Sequence, residues 1–569
     1  MKVSDFVIDF LVKEKVSHIF EVCGGALAHL LDSLYGRKDI KTISVHHEQA
    51  AAIAAEGFAR VKGDVGVAMA TSGPGATNMI TGIASCYFDS IPTVFITGQV
   101  NTYEFKFDKP VRQIGFQETD IVRIVKPIVK EAILVKDPLK IQYYLQKAFC
   151  LARSGRPGPV LLDIPLNVQR AEINPLSLES YSQKHKQQKS DIRLLKDISK
   201  LILSSLRPVI LVGNGVVLSK ADKELTELVT LTNIPVASSL LGLDAGWANK
   251  NAFVGMIGTY GNRCANLAVA DSDLLLCLGT RLDTRQTGTM PETFARKAVK
   301  IHIDIDTHEL NNKVKVDFPV TADIKEFLKE LQKYLKKYDP DRTLPWRKRV
   351  KYYKDLYPSF TLPSHETIHP NFFMHRLSEY LAKDTVVCAD IGQNQIWAAQ
   401  SLELKKGSRY LTQGGMGTMG SALPLAVGAC FAKSLKQVVA ITGDGGFQLN
   451  LQELQTIVHH RLPVKIILLN NSCYGMVRQF QEQYFNSRYQ STTIGYSYPD
   501  FQKVVSAYKI QVQKITKNSQ IQAALKRLFT LKGPCFLEVV IPQNTLVLPK
   551  LSVNKPIEEQ DSCLPLSKV

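Results

Sequence analysis

Short apolar runs alternate with longer amphipathic segments along most of the chain. The longer segments place apolar residues at helical spacing, as in 449–460, where Leu451, Leu454 and Ile457 fall on one face. Short, fully apolar strands separated by helices are typical of parallel sheets that carry helices on both faces. The predicted strands are 42–45, 65–70, 93–97, 160–162, 209–213, 274–278, 300–305, 438–441 and 464–469.

The alternation divides the chain into three blocks. We therefore predict an α/β fold with three doubly wound parallel-sheet domains. Two polar stretches are expected to join them: a charged, Gln/Lys-rich one at 182–190 and a Tyr/Lys/Pro-rich one at about 335–365. The predicted domains are 1–170, 191–335 and 366–545, followed by a tail, 546–569, that lacks clear periodicity.

Composition narrows the class of protein. A chain of 569 residues is too long for one hydrophobic core. The formal charge of +18 raises the question of nucleic-acid binding, but the lysines are spread along the whole length. A nucleic-acid surface would gather them into a patch or stripe. We expect no nucleic-acid partner and attribute the charge to anionic cofactors and substrates.

The sequence also predicts a cytoplasmic protein without a membrane segment. No apolar run is long enough to span a bilayer. The N-terminal amphipathic pattern is broken by Asp9, Lys13 and Glu14, so it lacks the apolar core of a signal peptide. The ten cysteines are scattered, with no pair at zinc-binding spacing. Such cysteines are typical of reduced thiols in the cytosol.

Two polar residues follow neighbouring predicted strands in the third block. Asp444 comes just after the strand at 438–441, and Asn471 just after the strand at 464–469. Open α/β sheets bind ligands at the carboxyl ends of their strands. A carboxylate and an amide oxygen at neighbouring strand ends suit Mg²⁺, which takes its other ligands from water and phosphate oxygens. The alternative is a pair of ordinary strand-end turns.

The chain resembles the catalytic subunit of acetolactate synthase, within the superfamily of thiamin diphosphate (ThDP) decarboxylases and carboligases. The resemblance covers about 1–550 and rests on motifs that occur in family order. The motifs are HEQAA at 47–51, TSGPGATN at 71–78, DSIP at 89–92, ITGQV at 96–100, FQETDIV at 116–122, SGRPGPVLLDIP at 154–165, GTRLDTRQTG at 279–288, GQNQIWAAQ at 392–400, GGMGTMG at 414–420, and the metal motif.

The resemblance implies that the first domain binds the cofactor's pyrimidine ring and the third its diphosphate. Glu48 would hydrogen-bond the aminopyrimidine and so assist removal of the thiazolium C2 proton. We expect that carboxylate to be largely buried, with a raised pKa. Met419 would bend the cofactor, and Asp444, Asn471 and the carbonyl of Cys473 would hold Mg²⁺. The other implied ThDP-binding residues are Gly24, Gly25, Gly392, Gln393, Asn394, Gly415, Gly417, Gly443, Gly445, Gly446 and Met476.

The central domain resembles the FAD-binding domain of anabolic acetolactate synthases, where the flavin has no redox role in the main reaction. Glycine-rich turns after strands let backbone amides approach phosphates, and arginines pair with them. The resemblance implies FAD, although related ThDP enzymes keep this domain without flavin. The implied FAD-binding residues are Arg156, Gly258, Thr259, Arg281, Asp283, Arg285, Asp304 and Asp323.

Further residues correspond to the family's substrate site. Lys130 would attract the carboxylate of a 2-keto acid, and Phe116 and Gln117 belong to the FQE motif. The alternative for Lys130 is a solvated surface lysine. Phe480 stands where the family has a tryptophan that shapes the acceptor pocket and favours 2-ketobutyrate, so the acceptor is open. Glu21 adds a carboxylate near a site meant for anionic substrates.

The implied activity is decarboxylation of pyruvate and transfer of the two-carbon hydroxyethyl unit to a second 2-keto acid. One rival transfers the same unit to a nucleotide-linked keto-sugar. Other rivals are a simple 2-keto acid decarboxylase and a non-catalytic ThDP- or FAD-binding paralogue. The resemblance also implies a homodimer or homotetramer whose active site lies between two chains, and leaves a regulatory subunit open.

Overall fold

The computed structural model describes residues 1–182, 192–247, 249–432 and 437–561. Their strands form three six-stranded sheets, and every strand pair recorded within the sheets is parallel. Parallel strands need crossover connections, which the helices supply. The predicted α/β class and the three sheets are confirmed, whereas the proposed domain boundaries stay predictions. The predicted stretch at 182–190 lies, beyond Ser182, outside the described residues.

The first sheet has the order β2-β1-β3-β4-β6-β5. Its strands are β1 His18–Val22, β2 Lys41–Ser44, β3 Gly66–Ala70, β4 Thr93–Gln99, β5 Glu131–Leu134 and β6 Pro159–Pro165. Its helices are α1 Val3–Lys13, α2 Ala28–Leu34, α3 Glu48–Lys62, α4 Pro74–Asn78, α5 Ile80–Phe88, α6 Ile121–Val125, α7 Ile141–Arg153 and α8 Leu166–Gln169.

The second sheet has the order β12-β11-β10-β7-β8-β9, the arrangement of dinucleotide-binding folds. Its strands are β7 Pro208–Val212, β8 Val236–Ser238, β9 Phe253–Met256, β10 Leu274–Leu278, β11 Val299–Asp304 and β12 Phe318–Thr321. Its helices are α9 Ile192–Ser204, α10 Asn214–Leu218, α11 Asp222–Thr232, α12 Leu243–Trp247, α13 Arg263–Asp271, α14 Thr284–Thr287, α15 Ile324–Tyr334 and α16 Leu344–Leu356.

The third sheet has the order β14-β13-β15-β16-β18-β17, which repeats the topology of the first. Its strands are β13 Val386–Ala389, β14 Arg409–Leu411, β15 Val438–Gly443, β16 Val464–Asn470, β17 Gln511–Ile515 and β18 Cys535–Val540. Its helices are α17 Pro370–Ser378, α18 Gln393–Ser401, α19 Ala422–Ala432, α20 Asp444–Phe447, α21 Glu453–His459, α22 Gly475–Tyr484, α23 Phe501–Ala507 and α24 Ile521–Thr530.

The first and third blocks share one hydrophobic core within the chain. Helices α3 and α19 pack closely because glycines stand at the contact. A Cβ on Gly428 would lie 1.9 Å from the carbonyl of Ala54, and one on Gly57 would lie 2.5 Å from the carbonyl of Leu425. Larger side chains at either glycine would therefore force the two blocks apart.

Two segments differ from the sequence-based expectation. The stretch at 335–365 contains α16, whose Trp346 is buried and donates from Nε1 to the carbonyl of Pro208 at 3.1 Å. It is therefore packed on the central block rather than being a simple linker. The helix expected over 449–460 is shorter, because Asn450 donates its side-chain amide to Gly420 O and lies in the turn before α21.

The described part of the tail, up to 561, packs on the central and third blocks. Gln479 in α22 exchanges two hydrogen bonds of 2.9 Å with the backbone of Val547. Leu551 N donates to Thr259 O at 2.7 Å, and Gln560 donates to Gly261 O at 3.1 Å. Within the described chain, no helix has the length and apolar content needed to cross a bilayer.

Candidate active site

Three oxygen atoms converge where β15 and β16 end. Asn471 Oδ1 lies 3.1 Å from Asp444 Oδ1 and 3.0 Å from the carbonyl oxygen of Cys473. All three are hydrogen-bond acceptors, so their approach is unfavourable unless a cation lies among them. In an octahedron with Mg–O bonds of 2.0–2.1 Å, neighbouring ligands are about 3 Å apart. The three residues therefore fit Mg²⁺.

The orientation of Asn471 is fixed by its neighbour Gln393. Asn471 Nδ2 donates to Gln393 Oε1 at 2.8 Å, while Gln393 Nε2 donates to the carbonyl of Thr545 at 3.1 Å. Rotating the Asn471 amide would turn its oxygen toward Gln393 Oε1 unless Gln393 also rotated and lost its bond to Thr545. Gly475 makes room for the pair, since a Cβ there would lie 1.9 Å from Gln393 Oε1. The amide oxygen of Asn471 therefore faces the candidate metal position.

Asp444 is the one carboxylate in this donor set. It is only 2 % exposed, and burial raises its pKa to about 6. Tyr496 donates its hydroxyl to Asp444 Oδ2 at 2.7 Å, which leaves Oδ1 facing Asn471. Among the described residues, no group of three His, Cys, Asp or Glu side chains could hold a metal. This site would rely instead on one carboxylate, one amide and one carbonyl.

Glycines shape the backbone around the candidate metal position. Gly392 has a φ of 134° and precedes Gln393 and Asn394 at the start of α18. A Cβ on Gly445 would lie 2.5 Å from the ring of Tyr474, and one on Gly446 would lie 2.8 Å from the Asp390 carboxylate. Gly443 ends β15 on the same edge. The predicted diphosphate-binding residues are thus brought together at the point where the strand order reverses, between β13 and β15.

The loop 414–420 is held between the first and third blocks. Asp89 accepts the N–H groups of Gly414 at 2.9 Å and Gly415 at 2.8 Å. Gly420 N donates to Asp390 at 2.8 Å. Between these anchors Gly417 has a φ of 71° and open space where a Cβ would project, and Met419 is half-buried. The loop therefore presents its middle residues for contact with a ligand.

Glu48 lies at the N-terminus of α3, beside the turn that follows β3. Its Oε2 accepts from Asn78 Nδ2 at 2.9 Å, and Gly75 leaves space beside Oε1. Gly24 allows the loop after β1 to approach this turn, since a Cβ there would lie 2.4 Å from Thr71 Cβ. At Gly25 the Cβ position is open. The expectation that Glu48 is largely buried is not met by a single chain, where it is half-buried.

Glu21 is turned into the protein rather than toward a substrate. It is 3 % exposed and accepts a hydrogen bond from Ser44 on the neighbouring strand. Burial raises the pKa of its carboxyl group, which favours the neutral form. Because the side chain is buried and the charge is disfavoured, the expected conflict between Glu21 and an anionic substrate is relieved.

The predicted substrate residues of the first block do not form one cluster. Lys130 Nζ donates to the carbonyls of Leu151, Ser154 and Arg156, at 2.5, 2.6 and 2.9 Å. An ammonium has three donors, so this lysine is fully engaged at the end of α7. Contrary to expectation, it is not free to meet a substrate carboxylate. Gln117 has a φ of 63° and packs against Gly73. Phe116, in contrast, is 85 % exposed.

A cavity of about 320 Å³ lies between the first and central blocks. It opens at the carboxyl ends of β7 and β10, where the central strand order reverses and dinucleotides bind in such folds. Gly213, Gly215 and Gly279 let the two loops meet, since a Cβ on Gly213 would lie 2.1 Å from Gly279 O. These features fit a dinucleotide-sized ligand.

Six of the eight residues predicted to bind FAD line this cavity. They are Arg156, Arg281, Asp283, Arg285, Asp304 and Asp323. Gly258 and Thr259 are not among the lining residues, because the tail covers them through Gln560 and Leu551.

Several of the lining side chains already pair with one another. Arg156 bonds Glu309 at 2.6 Å, and Arg281 bonds Asp283 at 3.0 Å. Burial raises the pKa of Asp304 to about 6. A phosphate would have to compete with carboxylates for Arg156 and Arg281.

Phe480 is on the exposed side of α22, about half accessible. Its ring contacts Tyr484, with centroids 4.7 Å apart. Lys550 of the tail lies 5.8 Å from the Phe480 ring and 5.1 Å from that of Tyr484, and it also bonds Gln483. Met476 is half-buried one helical turn earlier. The role of Phe480 in an acceptor pocket stays a prediction.

Sequence reasoning missed several residues at this site. Asp89 belongs to the DSIP motif at 89–92, but its contact with Gly414 spans 325 positions and has no local signal. Tyr496 and Lys550 stand in segments without clear periodicity. The nearest local signal in the sequence is Gln393, a polar residue that directly follows Gly392 and begins α18.

Comparison with protein-family profiles matches all three blocks. Residues 1–124 match "Thiamine pyrophosphate enzyme, N-terminal TPP binding domain". Residues 195–331 match the corresponding central domain, and residues 390–539 match the C-terminal TPP binding domain.

Curated relatives are similar over almost the full length. The acetolactate synthase large subunit of Cyanidium caldarium is 37 % identical over 562 residues, covering 96 % of this chain and 94 % of the relative. The probable acetolactate synthase large subunit of Methanocaldococcus jannaschii is 38 % identical, covering 95 % and 92 %. Chloroplastic acetolactate synthase 2 of Nicotiana tabacum is 37 % identical, covering 97 % and 83 %.

Proposed function

The chain belongs to the acetolactate synthase large-subunit family of thiamin diphosphate enzymes, and from that premise we propose how its residues carry out the reaction. It is a ThDP-dependent, acetolactate synthase-like carboligase that decarboxylates pyruvate and transfers the two-carbon unit to a second 2-keto acid. The observation that carries this conclusion is the ordered match of all three domains to this family. Transfer to a nucleotide-linked keto-sugar is not favoured.

Glu48 is our candidate for the proton-handling carboxylate. The chemistry that ThDP supplies when bound is stabilisation of the carbanion left when a 2-keto acid loses CO₂. Glu48 would hold a proton at the pyrimidine ring, and Asn78, at 2.9 Å, would keep the carboxylate oriented. Gly24 lets the loop after β1 approach Thr71, and Gly25 leaves open space where a side chain would project. Met419 and Gly417 would face the same cofactor from the loop 414–420.

Mg²⁺ would be held by Asp444, Asn471 and the carbonyl of Cys473. Its role would be to neutralise the diphosphate and fix its position at the strand ends. Support comes from the three converging acceptors and from the bond that orients Asn471 toward them. Gly392, Gly443, Gly445 and Gly446 would let the diphosphate approach the backbone, beside Gln393 and Asn394.

FAD would occupy the cavity between the first and central blocks. The supporting observations are the dinucleotide-binding strand order and the close glycine contact at the topological switch point. Arg285 is the arginine that we favour for phosphate contact. No redox step is assigned to the flavin.

The active unit would be a homodimer or a higher homo-oligomer. Glu48 is only half-buried in one chain, whereas an efficient proton exchange needs an enclosed site. Large apolar side chains are exposed near the candidate site, including Phe116, Val477 and Phe480, and such residues favour a protein interface. The relatives' designation as large subunits supports a catalytic chain that can pair with a regulatory one. The scattered positions of the cysteines support a reducing compartment such as the cytosol.

The test is an assay of purified protein with ThDP, Mg²⁺, FAD and pyruvate. Acetolactate should form faster than acetaldehyde, with one CO₂ released per acetolactate. The Glu48→Gln variant should lose turnover but still bind ThDP. The matched control is Glu379→Gln, which alters an exposed glutamate paired with Arg376 and should keep full activity. CO₂ release without acetolactate would contradict the proposed acceptor.

A further inference from the structure

A buried glutamine, Gln413, connects the loop 414–420 with a helix of the first block. Gln413 stands directly before the loop and is fully buried. Its Oε1 accepts from Thr418 N at 3.2 Å, and its Nε2 donates to Glu56 Oε2, on α3, at 2.9 Å. One side chain therefore spans the loop and fixes it to α3, although Gln413 has no role in the assignments made above.

The orientation of the Gln413 amide is set by its two partners. A backbone N–H needs an acceptor and a carboxylate needs a donor, so only one orientation of the amide satisfies both. Glu56 is itself fully buried, and its Oε1 accepts from Arg60 Nη1 at 3.2 Å. Arg60 also donates to the carbonyl of Thr412 at 2.6 Å. Each oxygen of the Glu56 carboxylate thus has its own donor, which keeps the Gln413 oxygen turned toward Thr418.

The bond to Thr418 acts where the backbone of the loop has most freedom. Gly417, the residue before Thr418, has a φ of 71°, and glycine is the residue that moves most readily between such conformations. Thr418 is held from two sides, because its Oγ1 also lies 3.2 Å from Ser85 Oγ in the first block. The carboxylates described above hold the two ends of the loop, and Gln413 holds its middle.

The neighbours of Thr418 are the loop residues that we assign to ThDP. Gly417 precedes Thr418 and Met419 follows it, so a shift of Thr418 would displace both. We propose that Gln413 is a positioning residue for ThDP binding. By tying Thr418 to Glu56, it holds the loop in the arrangement that accepts the cofactor. The proposal rests on the proposed function, since it takes ThDP as the ligand of this loop.

The test measures the dissociation constant of ThDP by calorimetry, using the full-length protein freed of ThDP and supplied with Mg²⁺ and FAD. Burial raises the pKa of Glu56 to about 7, so the titration is run at about pH 8, where the carboxylate is mainly ionised. Gln413→Met keeps the size of the side chain but removes both hydrogen bonds, and ThDP should bind about tenfold more weakly.

The matched control is Gln332→Met in α15 of the central block. It removes a side-chain hydrogen bond of 2.6 Å to the carbonyl of Glu224, far from any residue assigned to ThDP in the sequence. This variant should bind ThDP as the unmodified protein does, even if its stability falls.

Exchanging the amide and the carboxylate between the two positions separates positioning from the filling of space. Glu56→Gln alone presents an amide N–H to a donor, either Arg60 or Gln413, and Gln413→Glu alone sets two carboxylates side by side. Each single variant should bind ThDP about tenfold more weakly. In the double variant, the amide at position 56 can accept from Arg60 and donate to the carboxylate at position 413, which still accepts from Thr418 N. Its ThDP affinity should return to within about threefold of the unmodified value.

The outcomes separate the two proposals. Unchanged ThDP affinity in Gln413→Met, or a double variant that binds no better than the single variants, would overturn the positioning role and leave the proposed function intact. If Gln413→Met does not fold, the exchange of the two groups still decides. Failure of the unmodified protein to bind ThDP would overturn the proposed function, and the positioning role with it.

Discussion

Gln393 accepts the Asn471 amide N–H at 2.8 Å, and this single bond decides which atom of Asn471 faces Asp444. Without this bond the Asn471 amide would be free to rotate. Its N–H group would then donate to Asp444 Oδ1 and to the carbonyl of Cys473. The site would then be complete without a cation. Gln393 thus keeps the Asn471 oxygen, rather than its N–H group, facing the candidate metal position.

We therefore expect Gln393→Leu to weaken Mg²⁺ binding by about 10–100-fold, as loss of a partner that orients a ligand usually does. Gln455→Leu, the same substitution at an exposed position of α21, is the matched control and should leave the affinity close to that of the unmodified chain. The measurement is the Mg²⁺ concentration needed for the ThDP-dependent rise in thermal stability. Equal requirements in the two variants would contradict the orienting role.

Lys130→Met should destabilise the first block. The substitution leaves the carbonyls of Leu151, Ser154 and Arg156 without their shared donor, at a cost of about 2 kcal/mol or more. The free energy of unfolding in urea measures the effect, with Lys126→Met at an exposed position as the control. A variant of normal stability with a raised KM for pyruvate would restore the substrate role first expected for this lysine.

Asp163 should make stability depend on pH. The residue is buried and accepts from Thr97 at 2.7 Å and Gln99 at 2.9 Å, and burial raises its pKa from 3.8 to about 7. Between these values the folded chain holds a proton that the unfolded chain has released. Stability from this group is therefore fully present below pH 3.8 and is lost as pH rises toward about 7.

Asp163→Asn removes that proton equilibrium. The free energy of unfolding should then fall less between pH 5 and pH 7 than it does in the unmodified, cofactor-free protein. An identical pH dependence in the two proteins would show that Asp163 is ionised throughout.

Phe480→Trp should shift the choice of acceptor toward 2-ketobutyrate. Phe480 is exposed on α22 beside Tyr484, so a larger ring can be accommodated there. With equal pyruvate and 2-ketobutyrate, the product ratio should change by about tenfold. Val477→Ala, at another exposed position of the same helix, is the control. An unchanged ratio would place the acceptor elsewhere.

The fold was predictable because its signal is local. Continuous apolar runs such as 274–278 match a buried strand, β10, and the blocks match three sheets. The proximity of Asp444 and Asn471 could also be predicted from the sequence. Both residues follow such strands, and parallel strands end at one edge of a sheet.

The rest depends on contacts that the sequence does not record. The contact between Asp89 and Gly415 joins residues 326 positions apart. The three carbonyls that accept from Lys130 are brought together by the way that the chain leaves α7. The path of the tail is set by single side chains such as Gln479, which periodicity does not reveal. Local patterns specify elements, whereas these contacts arise only when the elements pack.

The repeated strand order of the first and third sheets indicates that the two domains have a common origin. TSGPGATN, at 71–78, follows β3, and the similar TGDGGFQLN, at 442–450, starts in the last two residues of β15; β3 and β15 are the same strand in the shared topology. Gene duplication accounts for such a repeat. An ancestor carrying one such domain could pair with itself to enclose a ligand. In the present chain one copy carries the proposed proton-handling carboxylate, Glu48, and the other carries the proposed metal ligands Asp444 and Asn471.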